Sequence, residues 1–130
     1  DHCQAISDVI KLGKPGETYV VGGNTQPTNL FVVQTLCEIL DECHPESEYS
    51  PHDSLIEYVV DRPGHDRRYA MDITKINQEL NWSPSLSLSE GLLKTVEWYL
   101  DHQDWVAAIG KQGDYQDWLD KNYRSRGGKT

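Results

Sequence analysis

Apolar residues recur along this 130-residue chain with two periods, and the switches between them mark its elements. Residues 1–12 read as a helix with Ala5, Ile6, Val9 and Ile10 on one side and Gly13 as its stop. Lys14-Pro15-Gly16 is a turn, and Glu17 to Val21 then reads as a short strand running into Gly22-Gly23. Thr28 is placed to cap a helix reaching about Glu42, whose buried stripe is Val33, Leu36, Cys37 and Leu40. Residues 44–54 are polar, hold two prolines and form a loop. Ile56-Glu57-Tyr58-Val59-Val60, β-branched and aromatic, reads as a second strand. After it Asp72 is placed to cap a helix with Ile73, Ile76 and Leu80 on one face, which Asn81 can stop by taking the left-handed conformation. Ser87-x-x-Glu90 is a capping box opening a helix to about His102, with Leu88, Leu92, Val96 and Tyr99 as its core stripe. Trp98 and Trp105 read as packing residues. A short helix from Tyr115 to Asn122 is expected to dock through Tyr115, Trp118 and Leu119. The pattern as a whole predicts an α/β chain of α+β-like character, mainly helical with a few short strands.

Composition changes this picture little. With 37% apolar and 25% charged residues and no long apolar run, the chain reads as one soluble domain over residues 1–130. No membrane span or secretory signal peptide is expected. Residues 124–130 are expected to form a disordered tail. A start at Asp1, without Met, reads as a trimmed or partial product. Cys3, Cys37 and Cys43, with no CxxC, suit a reducing cytoplasm, and Cys37 falls on an apolar helix face. Cys43-His44 and His52 match no zinc spacing, so no metal is expected.

Charge is more informative. A net charge of −9 argues against nonspecific binding to nucleic acid or acidic membranes. An anionic ligand would need local positive charge, and Asp61-Arg62-Pro63-Gly64-His65-Asp66-Arg67-Arg68-Tyr69-Ala70-Met71-Asp72 offers it on a loop between strand and helix. Arginine presents a planar fork that fits phosphate or carboxylate, and Pro63-Gly64 would bend the backbone toward a ligand. The competing reading is a solvated loop whose Arg and Asp side chains pair with each other, each pair worth ~0–1 kcal/mol. Arg67 or Arg68 is expected to pair with Asp66 or Asp72. Asn29 falls at the positive end of a helix dipole, where a ligand contact or a second capping role is open to it. Gly22-Gly23 fits a close ligand approach or simply a tight turn.

The Asp61–Asp72 string resembles the C-terminal signature of dTDP-glucose 4,6-dehydratases, extended short-chain dehydrogenase/reductase enzymes acting on nucleotide sugars. Gly16-Glu17-Thr18-Tyr19-x-Val21-Gly22-Gly23, Asn29-x-x-Val32-Val33, Leu80-x-Trp82-x-Pro84, Lys94 to Leu100 and Tyr115-Gln116-x-Trp118-x-x-x-Asn122-Tyr123 match as well. The resemblance implies that Asn29 contacts the nucleotide and that Asp61, Arg62, Pro63, Gly64 and His65 line the nucleotide-sugar site. Arg62 would face the diphosphate and His65 the sugar end, with no catalytic residue among them. In the intact family NAD oxidises the sugar at C4, water leaves across C5–C6, and the hydride returns to C6. Neither the Gly-x-x-Gly-x-x-Gly turn that seats NAD nor the Tyr-x-x-x-Lys pair occurs here. The expectation is therefore the substrate-binding part alone, with the Rossmann domain absent, no cofactor of its own and no dehydratase activity. Faces that would pack on a cofactor domain should expose apolar surface, which implies a homodimer or an exchanged assembly. Two alternatives stand beside this: an interaction module with a decayed sugar site, and a half-enzyme completed in trans by a Rossmann partner.

Overall fold

Ile76 and Leu80 share one helix face, Ile73 stands just before that helix, and a core forms around the three of them. The computed structural model describes residues 1–58, 64–66, 68–110, 115, 117 and 118. The chain gathers into two units, Asp1–Val33 with Asp66–Leu92, and Gln34–His65 with Leu93–Thr130. The helices are α1 (His2–Leu12), α2 (Asn29–Cys43), α3 (Thr74–Leu80), α4 (Leu88–Asp101) and α5 (Gln103–Gly110), with a 3-10 turn at His52–Leu55.

In the first unit, Ala5 of α1 packs with Ile73, Ile76, Leu80 and Trp82, and Val9, Tyr19 and Val21 close the cluster. Ala5 and Ile76 are wholly buried, and a fully buried isoleucine contributes about 1.5–3 kcal/mol relative to exposure. Gly13 ends α1, its N–H donating to Val9 O at 2.9 Å. It does so with φ −66, not in the left-handed form a glycine stop suggests. Its lack of a side chain matters for space: a Cβ there would lie 2.5 Å from Val9 O. Gly16, at φ 84, supplies the positive φ of a type II turn closed by Glu17 N–H to Lys14 O at 3.1 Å.

Polar contacts fasten the next segment to α3. The Tyr19 hydroxyl donates to Glu79 Oε2 at 2.9 Å and accepts from Lys14 N–H at 3.2 Å. Lys75 Nζ donates to Glu17 Oε2 at 2.6 Å and to Thr18 O at 3.0 Å, lying 4.9 Å from the centre of the Tyr19 ring. Asn81 stops α3 in the left-handed region, at φ 54 and ψ 31, as its residue type suggests.

Among the described residues the expected strands are absent, and the fold there is helical rather than α/β. No described residue belongs to a strand. Glu17–Val21 keeps the side-chain alternation of a strand, with Tyr19 and Val21 packed on the core and Val20 exposed. A strand also needs a neighbour to complete its ladder, and none pairs with it among the described residues. Of the second expected strand, residues 56–58 are irregular and 59–60 lie outside the described residues.

In the second unit α2 buries Cys37 and Ile39. Leu36 and Leu40 are half-buried, so the buried stripe is turned from the one expected. Val33, in the first unit, is 41% exposed. On α4 Val96 is buried but Tyr99 is not; Tyr99, Trp98 and Trp105 remain nearly half exposed. Their rings meet each other: Trp98 stands edge-on to Trp105 at 5.2 Å and lies flat on His102 at 4.3 Å. α5 forms where no helix is expected from the sequence pattern. Tyr115 and Trp118 stack on each other, both about half exposed, so they do not dock as deeply as expected. Leu119 and the predicted tail at 124–130 lie outside the described residues. Among the described residues no helix is long and apolar enough to cross a membrane.

Candidate ligand-binding site

Two helix starts of the first unit border one pocket. At α2, Thr28 Oγ1 accepts the Phe31 N–H at 3.2 Å and Thr28 O accepts the Val32 N–H at 3.1 Å, the capping its position predicts. At α4 the capping box closes as its spacing requires. Ser87 Oγ accepts the Glu90 N–H at 3.3 Å, while Glu90 Oε2 accepts the Ser87 N–H at 2.8 Å. Between these starts lies a pocket of about 550 Å³, with Phe31 and Leu88 as apolar lining and the hydroxyls of Thr25, Thr28, Ser87 and Ser89 around them. A flat apolar ring with polar edges suits such a lining. The Glu90 carboxylate already compensates the positive end of α4, so an anion is better received at the start of α2.

The predicted site residues fall in different places. Asn29 is the first residue of α2, exposed, next to the pocket residue Thr28. Gly64 and His65 belong to the second unit. Gly64 has φ 72 and open space where a Cβ would sit, so the turn expected of Pro63-Gly64 is carried by the glycine's conformational freedom. His65 is half-buried. Asp61, Arg62, Pro63 and Arg67 lie outside the described residues. The expected arginine–aspartate pairing is not made by Arg68 among the described residues. Asp72 instead accepts the Thr74 N–H at 2.9 Å. The Thr74 side chain, and then that N–H, hold the Asp72 carboxyl below its ordinary range.

Gly22 serves packing. A Cβ on Gly22 would lie 2.5 Å from Met71 Cβ, so the glycine admits a crossing chain segment. No helix opens directly behind it, the next beginning at Asn29. Gly22-Gly23 does not fit a seat for the NAD pyrophosphate, which needs free backbone N–H groups at a helix start.

One polar cluster escaped sequence reading. Asp41, near the end of α2, accepts from the His52 N–H at 3.1 Å and from the Ser50 hydroxyl at 2.9 Å, and meets His52 Nδ1 at 2.6 Å. These bonds, first the one to the His52 ring, hold the Asp41 carboxyl below its ordinary range. The cluster fixes the 44–54 loop against the helix it leaves. Eleven residues separate its two main partners, a spacing that carries no periodic signal. Burial, aided by Asp53 and Asp41, pushes the neighbouring Cys37 thiol up, away from nucleophilic reactivity. Among the described residues no three His, Cys, Asp or Glu side chains gather as metal ligands do.

Comparison with known proteins places the chain in a class. A family model for GDP-mannose 4,6 dehydratase matches residues 1–95, and the chain belongs to that family. Its relatives include the dTDP-glucose 4,6-dehydratases that the Arg-Pro-Gly-His string resembles. The enzyme of that name from Shigella flexneri is 47% identical over 126 residues, 97% of this chain and 34% of its own length. The one from Xanthomonas campestris is 46% identical over 124 residues, 95% of this chain and 33% of its own. In structure, dTDP-glucose 4,6-dehydratase from Bacillus anthracis, solved in complex with NAD, superimposes with a TM-score of 0.65 at 38% identity. That match covers 80% of this chain and 30% of the solved one. The chain thus spans about a third of the length of the curated relatives it matches.

Proposed function

We propose that this chain is the nucleotide-sugar-binding portion of a dTDP-glucose 4,6-dehydratase. The observation that carries the reading is 47% identity, over nearly the whole chain, to an enzyme named for dTDP-glucose. Asn29 at the exposed start of α2 supports it, because a helix N-terminus with hydroxyls and an apolar pocket beside it suits a nucleotide. In this reading Asn29 contacts the nucleotide, the Asp61, Arg62, Pro63, Gly64 and His65 segment lines the nucleotide-sugar site, Arg62 holds the diphosphate through its planar fork and His65 lies toward the sugar. The chemistry of the dehydratase belongs to groups this stretch does not carry, so the chain binds without turning its ligand over.

Isothermal titration with dTDP-glucose, against dTDP and glucose 1-phosphate, tests this. Saturable binding of dTDP-glucose and dTDP, with glucose 1-phosphate weaker, is expected. A dissociation constant near 1 mM, about −4 kcal/mol, is the scale expected of a partial site. No saturation with any of the three would overturn the reading.

A further inference from the structure

We draw no further inference here: the strongest candidate, the exposed aromatic patch that Trp98, Tyr99 and Trp105 form along α4 and α5, carries nothing, because nothing in the structure shows what covers it.

Discussion

Single residues hold this fold by close approach, by left-handed backbone and by carboxylates with depressed pKa values. A Cβ at Gly22 would sit 2.5 Å from Met71 Cβ, backbone-proximal atoms that cannot swing aside. Gly22→Ala is expected to lower stability by about 1–3 kcal/mol, read from the urea midpoint. Asn81, at φ 54, makes the opposite case: Asn81→Gly should be neutral, and Asn81→Val should cost about 1–2 kcal/mol. At Asp41 the sign of the pH effect follows from its depressed carboxyl. A group that ionises more readily folded than unfolded stabilises the native state above the ordinary carboxylate range. That contribution is lost as pH falls through the lower native value. Asp41→Asn should therefore flatten the fall in stability below about pH 4, measured as urea midpoint against pH; an unchanged slope would remove Asp41 from this role. The Asn81 stop and the turn at Gly16 were legible in sequence, whereas Gly13 is needed for space where a left-handed stop was expected, and Gly22 packs on Met71 where a ligand approach or a tight turn was expected. The Asp41–His52 contact was not legible, because it joins residues on two elements without shared periodicity.

At the level of elements, the helices read most clearly wherever chemistry at their ends agreed with the periodicity of their faces. Thr28 and Ser87 cap as expected, and Ile73, Ile76 and Leu80 are buried as a set. Ser87→Ala should cost about 1 kcal/mol, and Ile76→Ala about 2–5 kcal/mol, both by chemical denaturation. A loss under 1 kcal/mol at Ile76 would contradict the core described here. Strands were the failure. Alternation at 17–21 matches which side of the segment faces the core, Tyr19 and Val21 inward and Val20 outward. It says nothing about whether a second segment supplies hydrogen bonds. The α4 stripe failed differently: Tyr99 has helical spacing with Val96, yet its ring joins an exposed aromatic group with Trp98 and Trp105. Amphipathic spacing marks an apolar face without telling what covers it.

For the whole molecule, the family was legible in one charged string, while the expected site was legible only in part. Thr28-Asn29 could be placed from capping chemistry, and the pocket of Thr25, Phe31, Leu88 and Ser89 emerges only once the starts of α2 and α4 are built. The central proposal is that this chain, about a third as long as the curated relatives it matches, holds a nucleotide sugar through Asn29 and Arg62. The most direct test is an NMR titration of the amide-labelled chain with dTDP-glucose, run on wild type, Asn29→Ala and Arg62→Ala. Saturable shifts in the first turn of α2 and around Gly64 and His65, weakened by Asn29→Ala and abolished by Arg62→Ala, are the predicted result. An absence of saturable shifts at millimolar ligand, or shifts indifferent to Arg62→Ala, would contradict it.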